Sequence, residues 1–128
     1  MKQVFGPPLV INGRKLSLSR CVRAGDFLFL TGQVPMRDGA VMTTGTVEEQ
    51  TRSIIESIRE TLDLAGATLD DIVKSTVYLR NRESFPGFNS VYAEYFPEAP
   101  PARTAIVADF LVDIDVELDV IAYRPDRV

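Results

Sequence analysis

The sequence contains no histidine and no tryptophan, and its only cysteine is Cys21. Without histidine, neither a Ser-His-Asp triad nor a Cys-His pair can form, so those nucleophilic hydrolases are excluded. A single cysteine cannot make a disulfide within the chain, and one cysteine without histidine argues against a zinc site. We interpret Cys21 as a small, partly buried side chain. A role for Cys21 as a nucleophile without a nearby base is the less favoured interpretation.

Long apolar runs and strong positive charge are also absent. No stretch approaches the roughly 18 apolar residues that mark a membrane helix, and the first residues show no signal-peptide pattern, so we expect a cytoplasmic protein. The formal net charge of −4 argues against nucleic-acid binding, which depends on positive charge. A chain of 128 residues that is 45% hydrophobic is predicted to form one domain, residues 1–128.

Two helices are predicted from capping and periodicity. Thr46 and Glu49 fit a capping box, in which each residue satisfies a backbone amide of the other. Apolar residues then repeat at helical spacing as far as Gly66, which is placed to end the helix. A second helix begins near Phe85 and ends before Pro97, because proline interrupts helical hydrogen bonding.

Strands are predicted on both sides of these helices. The order β-β-α-β-α-β-β indicates an α+β fold with two helices on one face of a mixed sheet. The apolar run Phe27–Leu30 indicates burial on both faces of its strand. The helices cover one sheet face only, so we expect other subunits to bury the second face. The predicted strands cover residues 16–24, 27–30, 73–79, 101–107 and 116–122.

Two charged residues stand out in the last two strands. Arg103 opens the first, and Glu117 lies within the second. On one hairpin or sheet, such a pair can form a charged pocket, where guanidinium binds a carboxylate and the acid orients water or moves a proton. Alternatively, Arg103 is a structural ion-pair partner. Glu117 also belongs to an acidic row, which is more often a solvated face than a Ca²⁺ or Mg²⁺ site; its other members are Asp113, Asp115 and Asp119.

Four segments together resemble the Rid family of reactive-intermediate deaminases. The Pro-Ala-Arg segment at 101–103, followed by Val-Glu-Leu at 116–118, is fairly specific when the order of helices and strands also agrees. The resemblance covers about residues 16–124. The other three segments are residues 22–35, 71–79 and 88–97.

The resemblance implies a chorismate-mutase-like fold of the bacillus type and a homotrimer with sites in clefts between subunits. It also implies hydrolysis of small 2-imino or 2-enamino acids, such as 2-iminobutanoate and 2-aminoacrylate, to 2-keto acids and ammonia. No cofactor or metal is implied.

The resemblance also assigns site residues by position. The carboxylate-binding arginine of the family corresponds to Arg103, and its water-positioning glutamate corresponds to Glu117. The site hydroxyl corresponds to Thr31, which retains a hydroxyl where the family usually has serine. The glycine of the cleft corresponds to Gly32.

A second group of positions includes two departures from the family pattern. Asn89 corresponds to the site asparagine of the second helix, and backbone donors near Thr104 could assist carboxylate binding. The tyrosine that deaminases of the family usually carry is replaced by Leu18 or its neighbours, and a frequent cysteine is replaced by Ala105. Carboxylate binding is therefore better supported than the standard deaminase rate.

Two other functions stay open. One is a pathway-specific hydrolase of a different enamine or imine, such as an aminomuconate-like acid, which the altered first strand would suit. The other is a non-enzymatic protein that binds small carboxylates. RNA cleavage, which has also been attached to the family, is disfavoured by the acidic composition and the lack of histidine.

Overall fold

The computed structural model describes residues 1–11 and 13–125. These residues form two α-helices, α1 (Val47–Leu64) and α2 (Phe85–Tyr95), and two 3₁₀ turns at Leu69–Asp71 and Arg82–Ser84. In chain order, the strands are β1 (Gln3–Phe5), β2 (Val10–Ile11), β3 (Arg14–Lys15), β4 (Cys21–Ala24), β5 (Phe27–Leu30), β6 (Met36–Arg37), β7 (Ala40–Val41), β8 (Ile72–Leu79), β9 (Ala102–Val107) and β10 (Val116–Tyr123).

Six strands form one mixed sheet in the order β1-β4-β5-β10-β8-β9. The pair β8–β9 is parallel, and the other pairs are antiparallel. Both helices pack on one face of this sheet, which we call the helix face. The prediction of an α+β fold with two helices on a mixed sheet is confirmed, and β1 adds an edge strand to the predicted order. Strands β2–β3 and β6–β7 are separate two-stranded pieces.

Helix α1 begins at a capping box formed by Thr46 and Glu49. The Thr46 hydroxyl accepts a hydrogen bond from the Glu49 amide at 3.1 Å, and the Glu49 carboxylate accepts one from the Thr46 amide at 3.0 Å. Its inner stripe, including Ile54, Ile55 and Leu62, is fully buried. Each such aliphatic side chain stabilises the fold by about 1.5–3 kcal/mol through the hydrophobic effect. The predicted helix is confirmed.

Helix α2 covers the part of the sheet formed by β8 and β9. Phe88 and Tyr92 are buried on its inner side, and the Tyr92 hydroxyl hydrogen-bonds the Ser75 hydroxyl on β8 at 2.9 Å. This bond joins the middle of α2 to the middle of β8. Neither α-helix in the described part of the chain is both long and apolar enough to cross a membrane.

The predicted strand from Leu16 to Ala24 is wrong in its first half. The structure begins this strand at Cys21. The Leu18 amide instead donates to the Leu16 carbonyl at 2.9 Å, a turn contact that an extended strand cannot make. Alternation of leucine and serine over four residues therefore did not specify a strand, because no neighbouring strand pairs with this segment.

The second sheet face is left open. On β5, Leu28 and Leu30 are buried, but Phe27 and Phe29 are 42% and 43% exposed. The expectation that this strand is buried on both faces is therefore wrong for the single chain. The residues paired with these phenylalanines extend an apolar patch across the open face; they are Ala24, Val22, Ile121 and Tyr123. Val4, which is paired with Val22, continues the patch onto β1.

Candidate functional site

Arg103 lies on the helix face. It is on the edge strand β9, in parallel register with Ser75 of β8. Paired residues on neighbouring strands point to the same side of a sheet, and Ser75 points to α2, where it meets Tyr92. Arg103 therefore lies beneath α2, half-buried between that helix and the sheet edge.

Three aromatic rings and one amide surround the Arg103 guanidinium. Its central carbon is 4.8 Å from the ring centre of Tyr92, 5.4 Å from that of Phe85 and 5.7 Å from that of Phe88. One guanidinium nitrogen donates to the Asn89 side-chain oxygen at 2.9 Å. Cation–π attraction contributes about 0.5–2 kcal/mol per contact, depending on exposure to water. The aromatic rings and the amide of α2 thus hold the guanidinium in place.

Arg103 has no carboxylate partner among residues 1–11 and 13–125, in contrast to several other arginines of the chain. Arg80 contacts Asp113 at 2.6 Å, and Arg52 contacts Glu94 at 3.1 Å. Aromatic rings attract a cation but leave its charge uncompensated. A half-buried, oriented guanidinium without an acidic partner is suited to bind an anion, and its planar fork fits a carboxylate.

Glu117 lies on the open face. It is directly opposite Tyr78 of β8 in the antiparallel register. The next residue, Leu118, is buried on the helix face, so alternation directs Glu117 to the other side. The carboxyl is half-buried, and its pKa is raised, first by burial and then by the negative charge of Asp119. A raised pKa brings a carboxyl closer to the range in which it can both accept and release a proton.

Gly32 forms a wall beside Glu117. Gln33 and Leu118 exchange two backbone hydrogen bonds, at 2.8 and 3.2 Å, which bring the segment after β5 alongside β10. A β-carbon added to Gly32 would collide with the carboxylate of Glu117. Glycine therefore lets the backbone approach the acid closely, and a larger residue there would force the carboxylate to shift.

Tyr78 and Asp119 complete the polar group on the open face, and sequence reasoning missed both roles. The Tyr78 hydroxyl donates to the Asp119 carboxylate at 3.0 Å. This hydrogen bond is the main reason that the pKa of Tyr78 is raised. The signal available in the sequence was the position of Tyr78 on the less buried side of an alternating strand.

Among residues 1–11 and 13–125, neither Thr31 nor Thr104 makes a hydrogen bond to Arg103 or to Glu117. The Thr31 amide donates to the Arg20 carbonyl at 3.0 Å, and Thr31 and Gly32 line a small cavity of about 120 Å³. The Thr104 hydroxyl contacts the Lys74 ammonium at 2.8 Å on the open face. The Thr104 side chain therefore points away from the face that holds its neighbour, Arg103.

The acidic row does not share one face, as an unbroken strand would require. Strand β10 begins at Val116, after the first two acids. Asp115 turns toward α1, where its amide donates to the Gln50 side-chain oxygen at 2.9 Å. Asp113 contacts Arg80. Glu117 and Asp119 are left as a pair on the open face.

The structure does not bring Arg103 and Glu117 together within one chain. Strand β8 lies between their strands, and their partners on β8, Ser75 and Tyr78, are three residues apart. With strands about 4.8 Å apart and about 3.3 Å per residue, their α-carbons are about 14 Å apart. They also point to opposite faces. A charged pocket between the two residues of one chain is therefore excluded.

Known proteins resemble this chain in sequence over most of its length. The sequence model of the family described as Endoribonuclease L-PSP matches residues 14–124. A RutC family protein of Pyrococcus horikoshii is 41% identical over 109 residues, covering 83% of this chain and 86% of the relative. The mitochondrial protein MMF1 of Saccharomyces cerevisiae is 33% identical over 107 residues, covering 83% of this chain and 74% of the relative.

Solved structures agree with this comparison. The crystal structure of yeast Mmf1 matches with a TM-score of 0.87 at 27% identity, covering 97% of this chain and 99% of that chain. A protein of the conserved Rid family from Yersinia pestis, described as of unknown function, matches with a TM-score of 0.85 at 28% identity, covering 96% and 99%.

Proposed function

The chain belongs to the Rid family, whose sequence model is described as Endoribonuclease L-PSP, and from this premise we propose that it hydrolyses small 2-imino and 2-enamino acids to 2-keto acids and ammonia. The observation that carries the proposal is the uncompensated guanidinium of Arg103, held by three aromatic rings and Asn89. Substrates of this class carry a carboxylate next to the reacting carbon, and that carboxylate is the group a guanidinium fork binds.

The reaction begins with binding and water attack. The substrate carboxylate docks on Arg103, which fixes the position of the neighbouring C=N carbon. A water molecule held by Glu117 attacks that carbon of the protonated imine. Its proton passes to the carboxylate, and the electron pair of the C=N π bond moves to nitrogen, giving a neutral carbinolamine. The raised pKa of Glu117 supports this role because the group both accepts and returns a proton. An imine is already electrophilic, so orientation and acid–base help suffice.

Two copies of the chain must contribute to each site, because Arg103 and Glu117 of one chain lie on opposite faces. Arg103 at the exposed edge β9 of one copy meets Glu117 on the open face of a neighbour. The apolar patch around Phe27 and Phe29, which is exposed in the single chain, is buried by the same association. The homotrimer that the family resemblance implies satisfies both requirements.

The direct test is the decay of 2-iminobutanoate, generated enzymatically from threonine. The parent protein should accelerate formation of 2-ketobutanoate, and Arg103→Ala should lose about 100-fold in kcat/KM, because the substrate loses a charged, two-pronged anchor. Arg14→Ala is the matched control, since it removes the same charge from the exposed β3 strand. Equal rates for Arg103→Ala and the parent would contradict the proposal.

One departure from the family pattern favours an alternative substrate class. Leu18 or one of its neighbours stands where deaminases of the family usually carry a tyrosine, so the phenolic hydroxyl that would help to hold water or substrate is missing. A pathway-specific enamine or imine hydrolase, acting on an aminomuconate-like acid, would need different contacts there. No acceleration with 2-iminobutanoate but turnover of such an acid would favour this function. Carboxylate binding without any turnover would favour the non-enzymatic binder.

Nucleic acid, metal and cofactor have no part in the proposed reaction. The net charge of −4 and the lack of histidine weigh against RNA cleavage, although the family description names an endoribonuclease. The cytoplasm stays our prediction for its location; three of the yeast relatives are named as mitochondrial proteins.

A further inference from the structure

Three side chains on the open face are arranged around one proton-transfer group. Glu117 and Asp119 are two residues apart on β10 and point to the same side. Tyr78 lies directly opposite Glu117 on β8, yet its hydroxyl reaches diagonally to Asp119 at 3.0 Å. The hydrogen bond fixes the Asp119 carboxylate on the same side as Glu117. Gly32 closes the other side of Glu117.

The charge of Asp119 is directed at Glu117 and has no cation to neutralise it. Asp119 makes no ion pair within residues 1–11 and 13–125. Lys74 is the cation on the same side of β8, and its ammonium donates a hydrogen bond to the Thr104 hydroxyl. Two nearby carboxylates disfavour simultaneous ionisation, so the charge of Asp119 favours the protonated form of the half-buried Glu117.

We propose that Asp119, oriented by Tyr78, is a positioning residue that keeps a proton available on Glu117 for delivery to the departing nitrogen. This inference rests on the proposed function, which gives no role to Asp119 or Tyr78. Asp119 acts only through its charge on Glu117, and Tyr78 acts only through the geometry of Asp119. Neither residue needs to touch the substrate.

The step that uses this proton is the breakdown of the carbinolamine. The protonated Glu117 gives its proton to the amine nitrogen, and the C–N bond breaks with its electron pair on nitrogen, releasing ammonia. The carbinol O–H bond supplies the electron pair of the new C=O bond, and its proton returns to Glu117. Atoms and charge balance without an oxidant, a reductant or a metal.

The groups that face Glu117 are few, which makes the coupling testable. On β10 the neighbouring acid is Asp119, and on β8 the titratable neighbours are Tyr78 and, further along the strand, Lys74. The segment 31–33 brings no titratable side chain, and Arg103 of the same chain points to the other face. Burial and Asp119 are the two causes that raise the pKa of Glu117.

The experiment measures the titration of Glu117 by carboxyl ¹³C NMR in the full-length protein, together with the pH dependence of 2-iminobutanoate hydrolysis. Asp119→Asn should lower the pKa of Glu117, because one raising cause is removed. The acid limb of kcat/KM, where Glu117 becomes protonated and cannot accept a proton from water, should then move to lower pH. At neutral pH kcat should fall about tenfold, part of the usual acid–base contribution, with KM unchanged.

Tyr78→Phe and Asp113→Asn complete the design. Tyr78→Phe keeps the charge of Asp119 but frees its orientation, so kcat should fall about threefold with a smaller displacement of the acid limb. Asp113→Asn removes an equal charge from an acid that contacts Arg80 outside β10, and both readouts should match the parent protein.

The outcomes separate this inference from the proposed function. If the parent protein turns over the imine but Asp119→Asn leaves the NMR titration and the acid limb in place, the inference is overturned and the proposed function stands. If the parent protein shows no turnover of imines or enamines, the proposed function fails, and the catalytic role of Asp119 fails with it. A titration shift without turnover would leave Asp119 as a charge neighbour only.

Discussion

The two faces of the central sheet differ in how completely one chain satisfies them. The helix face buries an apolar core beneath α1 and α2, and it supplies Arg103 with aromatic neighbours and an amide. The open face keeps Phe27 and Phe29 more than 40% exposed and carries Glu117 half-buried beside a second acid. One face is covered within the chain, whereas the other face leaves apolar side chains exposed. The candidate anion binder and the candidate acid–base group lie on different sides of this division.

This division has a consequence for the chemistry. A ligand that contacts both Arg103 and Glu117 must lie between two copies of the chain. The position of β9 favours this arrangement. It is an edge strand of the sheet, so no further strand of the same sheet lies beyond Arg103. Catalysis and assembly are therefore coupled in our proposal, and the first prediction tests that coupling.

The largest change in activity is expected when the intact Arg103 and the intact Glu117 are supplied by different chains. Arg103→Ala and Glu117→Ala, each made alone, should reduce activity to near background. When both variants are co-expressed, mixed trimers should form sites that combine an intact arginine from one copy with an intact glutamate from another. Random mixing restores about one quarter of the sites, so activity should reach about a quarter of the parent value.

Two controls sharpen this complementation test. The double variant, in which every chain carries both substitutions, should stay inactive when it is expressed alone. Mixing separately purified, fully assembled variants without exchange should also give no recovery. Failure of the co-expressed pair, with mixed trimers present by native mass spectrometry, would place both residues in a site within one chain and would contradict the comparison of the two faces.

A smaller effect is expected from crowding Glu117 through its glycine wall. Gly32→Ala should displace the Glu117 carboxylate and reduce kcat about 100-fold, because a shift near 1 Å of a catalytic group has effects of this size. Gly39→Ala is the control. Its added methyl meets no atom within 4 Å, but its φ of +79° strains alanine. It should lose about 1 kcal/mol of stability and keep full activity.

We expect kcat to report on Glu117 of the open face and KM to report on Arg103 of the helix face. If Gly32→Ala retained full kcat, Glu117 would not be the acid–base group of the open face. Circular dichroism would check that Gly32→Ala keeps the fold, since the glycine has no left-handed backbone that alanine would strain. The helix-face residue Arg103 is untouched by either substitution, so KM should stay near the parent value.

Local signals made part of this fold predictable from sequence. Helix α1 follows from Thr46, Glu49 and the helical spacing of its apolar residues, all of which act within a few residues of one another. The strand predicted at Leu16 failed because a short alternating pattern does not determine pairing. Pairing with a distant strand decides whether such a segment extends.

The site was less predictable, because its geometry depends on long-range topology. The sequence pattern identified Arg103 and Glu117 as the unusual residues of two strands. It could not reveal that β8 inserts between those strands, so the opposite orientation of the two side chains was missed. The roles of Tyr78 and Asp119 were missed for the same reason, since their hydrogen bond joins residues 41 positions apart.

The smallest effect is expected on the pH dependence of stability. It tests how much the half-buried carboxylate of Glu117 on the open face destabilises the folded chain. The pKa of Glu117 is raised in the folded chain, so the folded state binds a proton more tightly than the unfolded state does. The carboxyl is therefore least unfavourable below its unfolded pKa, and stability is lost as the pH rises through its folded pKa. Glu117→Gln should raise Tm by about 2 °C at pH 7, and this gain should vanish toward pH 4, where both side chains are neutral. Thermal unfolding followed at both pH values checks this; an equal gain at pH 4 and pH 7 would mean that the effect comes from packing rather than from charge.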